Sequence, residues 1–220
     1  MRRPGIYFAA VLTFGLTGSA AAEQLLPRDD ARQDPSFFSF RRQLIAAVRK
    51  RDRKFILKIV DPKIRINFGE GGGADEFARQ WKLRSDNSPL WKILAEVLSL
   101  GGTFTGRGSE RMFAAPYTYA AFPESLDAFE YYCVTSKNVP LRAKPDERAR
   151  IIAGLSYDLV RQAPLPRGAK TPGPEWVHVS TSGGKRGFVA RRFVRSPVDY
   201  RALFQKRNGA WRMTALIAGD

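Results

Sequence analysis

The sequence predicts an α+β fold: an N-terminal helix-rich α+β domain, a small all-β unit after it, and a C-terminal β-hairpin. Three observations carry this. Phe37, Phe40, Leu44 and Val48 recur at spacings of three and four, the period of one helix face. Between residues 138 and 194 the pattern changes to short alternating runs, at Val139 and Leu141, at Val177 and Val179, and around Phe188 and Val189, with turn residues between them. Near the end Asn208-Gly209 separates two apolar-rich runs, the dipeptide that best suits a two-residue hairpin turn.

The first 22 residues read as a secretory signal peptide. Arg2 and Arg3 form a basic start, residues 6–16 an apolar core, and Ala20 and Ala22 the small residues of a cleavage site before Glu23. The apolar run is too short for a membrane span, and no other run of that kind follows. Residues 23–35 are polar and contain proline, which predicts a flexible leader.

Asp34-Pro35 then marks a helix start, because an aspartate accepts the unpaired first amides and proline suits the first turn. Helix is expected over 36–50, with a second start at Asp52 and apolar positions at Phe55, Ile56, Ile59 and Val60, closed by Asp61-Pro62. Ile64, Ile66 and Phe68 alternate and predict a strand over 63–68. The glycine-rich run at 69–73 is a turn, since its spacing fits no phosphate-binding fingerprint and Glu70, Asp75 and Glu76 would repel an anion. Ser88-Pro89 opens a helix with Trp91, Leu94 and Leu98 inward, stopped at Gly101-Gly102. Residues 103–108 and 111–122 are expected as strands. On the second, Tyr117 and Tyr119 would share a face near Arg107 and Arg111, either as a stacking platform for a sugar or peptide or as packing against the neighbouring helix. The α+β domain would then span 36–126, the all-β unit 127–197 and the hairpin 198–220.

The all-β unit resembles the bacterial SH3-like (Src homology 3 type) domain of exported envelope proteins. The likeness rests on the opening strand with Asn138, Val139, Leu141, Arg142 and Pro145, the strand IIAGL at 151–155, the Trp-centred strand from Trp176 to Val179, and GGKRGFV at 183–189. It departs from that pattern at Pro140, at Phe188 where tryptophan is commoner, and in the long Pro- and Gly-rich segment 162–175. The resemblance implies a closed barrel at about 134–197 whose groove recognises peptide. Its groove residues would be Trp176, Arg142 and Tyr157; Trp176 reads equally as barrel core, Arg142 as a strand partner and Tyr157 as a turn-packing residue. A looser likeness links AAVRKRD (46–52) and NGAWRM (208–213) to the two ends of the ketosteroid-isomerase-like cone family, which implies a small-ligand pocket.

Charge bounds the partners. The 220-residue chain carries +16, and loss of Arg2 and Arg3 leaves +14 because all 21 acidic residues lie downstream. For an exported protein this directs attention to envelope polyanions and peptidoglycan or a protein segment rather than to nucleic acid. Local basic runs at 41–54 and 191–195 serve such attraction or simple solvation.

Catalytic chemistry is thinly provided. Cys133 is the single cysteine and His178 the single histidine, so no internal disulfide forms and no metal-ligand spacing exists. Cys133 falls mid-strand, where nothing lowers its pKa. Glu70, Asp75, Glu76, Glu124 and Asp127 are the acids from which a hydrolytic pair could be drawn, and no spacing selects two of them. The expectation is therefore a periplasmic, non-enzymatic binding protein without catalytic residues, metal or cofactor. An envelope hydrolase targeted by the SH3-like unit and a small-ligand cone are the alternatives.

Overall fold

A computed structural model describes residues 23–69 and 71–219; the predicted signal peptide and Glu70 lie outside them. The protein is a mixed α and β structure with two sheets.

The first helix, α1 (Pro35–Lys50), forms where capping and periodicity agree. Asp34 accepts the amides of Ser36 and Phe37 at 3.0 and 3.1 Å, and Pro35 fills the first turn. Arg51, at φ 54°, turns the chain, and Asp52 caps α2 (Arg53–Ile59) by accepting the Phe55 amide. Strand β1 (Val60–Arg65) starts earlier than alternation suggested and includes Asp61-Pro62. Pro62 is tolerated because β1 is the sheet's outer strand, so its missing N–H leaves no gap in a central ladder. After the glycine turn come α3 (Ala74–Gln80) and α4 (Leu90–Ser99).

The expected strand over 111–122 is corrected. Strands β2 (Thr103–Thr105) and β3 (Met112–Ala115) form a short antiparallel pair, and β3 stops at Pro116, which has no N–H to donate. The chain turns there into α5 (Tyr117–Ala120).

Next come β4 (Tyr131–Val134), β5 (Val139–Arg142), β6 (Ile151–Leu155), β7 (Leu159–Gln162), β8 (Trp176–Ser180) and β9 (Arg186–Ala190). A 3-10 turn (Arg191–Phe193) leads to β10 (Val194–Arg195), and the hairpin is β11 (Arg201–Arg207) and β12 (Ala210–Ile217). Asn208 and Gly209 sit at φ 49° and 78°, the pair of left-handed positions a tight hairpin turn requires.

The hairpin is not a separate C-terminal unit. β11 pairs antiparallel with β3, and β12 pairs parallel with β1, giving the sheet order β1-β12-β11-β3-β2. The first sheet thus takes strands from before and after the second, whose strands β4 to β10 fall in sequence between β3 and β11. Its core lies where α1 crosses the sheet: Phe37, fully buried, stacks within 4.3–5.8 Å of Phe104, Phe113, Phe204 and Trp211.

The inserted sheet has the order β10-β4-β7-β8-β9-β5-β6 around Val134, Leu141, Leu155, Val160, Val179 and Val189. Among the described residues its ladder does not close into a ring, which corrects the expected closed barrel. The two-residue β10 pairs with β4 on one side only, and β6 pairs only with β5. Short links nevertheless join strands far apart in this order: β4 passes to β5 through 135–138, and β6 to β7 through 156–158. The sheet must therefore curl strongly.

The segment expected as a leader, largely exposed, is attached at several points: Leu25 donates its amide to the Tyr157 carbonyl, and Leu159 donates its own to that of Glu23. Asp30 and Gly102 exchange backbone bonds with their surroundings through Asp30 N to Gly102 O at 2.9 Å and Gly102 N to Arg28 O at 3.0 Å. A Cβ on Gly101 would lie 2.5 Å from the Arg28 carbonyl, so glycine there admits the leader as well as ending a helix. Arg41, 8% exposed, holds the segment with an ion pair to Asp29 at 2.6 Å and a bond to the Leu98 carbonyl at 2.8 Å. The polar composition concealed this because the anchors are two buried apolar residues, Leu25 and Ala31, the Asp29 carboxylate and backbone groups.

Candidate functional site

Alternation on β8 sends Val177 and Val179 inward and Trp176, His178 and Ser180 to the opposite face. Register extends that face across the neighbouring strands, because Trp176 lies opposite Ala190, His178 opposite Phe188, and Phe188 opposite Arg142. The His178 and Phe188 rings stack with centroids 4.7 Å apart. Trp176 and Arg142, predicted as site residues, therefore belong to one face of the sheet.

Two loops meet beside this face. Arg142 donates to the Ala149 carbonyl at 2.8 Å, bracing the loop 143–150. Arg192 pairs with Glu147 at 2.8 Å, tying the same loop to the turn Arg191–Phe193. On the other side Arg191 donates through Nε to the Pro174 carbonyl at 3.0 Å and through its amide to Glu175 at 2.7 Å, which draws in the Pro- and Gly-rich loop 163–175. Trp176, partly exposed, directly follows the second loop, and its amide donates to the Gly173 carbonyl at 3.1 Å. The stapling by Arg191 and Arg192 was missed in the sequence, where 191–195 read only as a basic run. Its one signal was the position of an Arg-Arg pair directly after a strand.

The other predicted site residues fall elsewhere. Tyr157 occupies the turn between β6 and β7 at φ 61°, donating its amide to Ser136 and accepting from Leu25; it belongs to the contact with the leader. Tyr117 and Tyr119 do not form a platform, because they lie on α5 and not on a strand. Tyr117 is 1% exposed in the cluster with Leu25, Cys133 and Leu159, and burial pushes its hydroxyl up to about 12. Tyr119 is covered by the Arg201 guanidinium, 4.6 Å above its ring.

Cys133 is fully buried against the Thr118 carbonyl, and burial raises its thiol to about 12 against a small opposing pull from Arg195. His178 Nδ1 faces the Ala163 carbonyl at 3.3 Å. The two are thus held by different partners. Glu76 accepts the Gly72 amide and Asp127 the Phe129 amide, while Asp75 and Glu124 are exposed on separate segments. Among the described residues no group of three or more His, Cys, Asp or Glu is placed to hold a metal ion, and no helix is long and apolar enough to cross a membrane.

No protein-family model matches the chain, and no curated protein matches it. Among solved structures it is similar to a protein titled as a variant of Rd1NTF2_05, with 12% identity over 83% of this chain and 95% of that one, at a TM-score of 0.29. A likeness of that size carries no argument about fold or function.

Proposed function

We propose that the protein is an exported, non-enzymatic binding protein of the cell envelope, acting in the periplasm through a curled SH3-like unit inserted into an α+β domain. The observation that carries this reading is the convergence of loops 143–150 and 163–175 on the turn Arg191–Phe193 beside the partly exposed Trp176. A partly exposed flat aromatic ring on a face flanked by braced loops suits an extended peptide, such as a peptidoglycan stem or a protein segment, because ring and backbone stack without much loss of conformational freedom. The strand succession from β5 to β10, with a 3-10 turn before the last strand, supports the SH3-like assignment. The +14 charge expected of residues 23–220 favours approach to an acidic surface.

The test is sedimentation of residues 23–220 with isolated peptidoglycan sacculi at about 0.15 M and about 0.5 M salt, where screening lengths differ roughly twofold. Retention at the higher salt is expected. Loss of all binding there reduces the interaction to polycation attraction.

The cone reading is favoured by one observation, the pairing of β11 and β12 with β3 and β1. It also needs an apolar pocket on that sheet, and the face under α1 is filled by Phe37, Phe113, Phe204 and Trp211. The hydrolase reading draws no support from the scattered positions of Asp75, Glu76, Glu124 and Asp127.

A further inference from the structure

A cleft of about 630 Å³ opens where α4 of the first domain faces the turn Arg191–Phe193 and β10 of the inserted sheet. That size falls within the range of small-ligand sites. Four cations line it, Lys92, Arg191, Arg192 and Arg195, together with two carboxylates, Glu96 and Asp199. Arg195 is fixed within it, its Nη2 donating to the Tyr200 carbonyl at 2.6 Å, while its buried Nε has no partner. Burial pulls the Arg195 guanidinium below its ordinary range, and the Asp199 and Glu96 carboxylates oppose that pull. Both acids therefore act on the same guanidinium.

Several existing contacts leave this lining available. Arg191 spends only its Nε on Pro174, Lys92 and Glu96 approach no closer than 3.8 Å, and Asp199 accepts one long bond from the Ser196 amide at 3.3 Å. A polyphosphate or other pure anion would meet Glu96 and Asp199 with like charge. A ligand bearing charges of both signs meets neither penalty, since a carboxylate suits the planar fork of arginine and an ammonium suits the acids.

We propose that this interdomain cleft binds the charged termini of a short peptide, with its carboxylate against Arg191 and Arg195 and its ammonium against Glu96 and Asp199. The inference rests on the peptide-binding reading and adds to it a second locus, outside the Trp176 face. That locus exists only where the two domains meet.

Triglycine titrated into residues 23–220 at about 0.15 M salt, followed by amide chemical shifts, tests it. Shifts are expected at Ser99, Thr135 and Arg195, with affinity at least about tenfold weaker for N-acetyl-triglycine and for triglycine amide, the equivalent of about 1.4 kcal/mol. Glu96→Gln should weaken free triglycine and leave the N-acetyl peptide unchanged, and Arg195→Lys should weaken both. Equal binding of all three peptides overturns the proposal, as does binding of inorganic phosphate at least as tight as triglycine, or no shift in the cleft. Sacculus binding that survives in Glu96→Gln while triglycine fails to bind rejects this cleft alone. Loss of sacculus binding in the unaltered protein rejects the broader reading instead.

Discussion

The indole Nε1 of Trp211 donates to the hydroxyl of Ser36 at 3.0 Å, joining residues 175 positions apart. Ser36 passes the contact on to Asp34 at 2.7 Å, and Asp34 Oδ2 pairs with Arg111 at 2.9 Å. Arg111 lies over the Phe104 ring at 3.9 Å. One polar chain thus pins the start of α1 to β12 and to the residues flanking β2 and β3. It fixes the helix over the aromatic core and holds together the two ends of the chain between which the second sheet is inserted.

Asp34 makes this junction pH-dependent. Burial by itself would raise its carboxyl, but bonds from the Ser36 hydroxyl, the Phe37 amide, Arg111 and the Ser36 amide outweigh that and lower it from 3.8 to about 2. A carboxyl depressed on folding contributes stability that is complete above its unfolded value and is lost as pH falls toward the folded one. Urea unfolding should show Asp34→Asn less stable than wild type by up to about 2 kcal/mol at pH 6, with the difference shrinking between about pH 4 and pH 2.

Phe37 tests the aromatic core itself. Its ring neighbours five others and is fully buried, so Phe37→Ala should cost about 3–5 kcal/mol in chemical denaturation, and Phe37→Leu clearly less.

Arg41→Met should free the leader. It removes the ion pair to Asp29 and leaves the Leu98 carbonyl without its donor, an expected loss of about 1–3 kcal/mol. Limited proteolysis should then cut within residues 23–33 before either sheet is attacked.

Cys133 reports on the contact between the sheets. With its thiol raised to about 12, labelling of the native protein near pH 8 should run about 10³-fold slower than free cysteine or more. Leu25→Ala, which opens the cluster around Cys133, Tyr117 and Leu159, should speed it. Because the unfolded thiol ionises from about 9 and the folded one does not, stability should also decline as pH rises above 9.

Local signals were legible and long-range ones were not. Asp34-Pro35, the spacing of Phe37, Phe40, Leu44 and Val48, and Asn208-Gly209 each specify their element within a few residues, and the structure contains α1 and the hairpin there. Periodicity does not encode which strand a hairpin joins, so the pairing of Val60 with Met213 and of Phe204 with Phe113 stayed invisible. Tyr117 and Tyr119 were misplaced because the alternation of 111–122 outweighed Pro116. Of the candidate site, Trp176 and Arg142 were named from the SH3-like resemblance, and the register that brings them to one face, through Phe188, was not legible in the strand pattern. The bracing by Arg191 and Arg192 depends on loops whose paths no local pattern fixes.

The most direct test of the binding face is sacculus sedimentation of Trp176→Ala beside wild type, with thermal unfolding measured on both. Wild type should sediment at about 0.5 M salt, and the variant should stay in the supernatant while unfolding at a similar temperature. Equal sedimentation of the two folded proteins would contradict it.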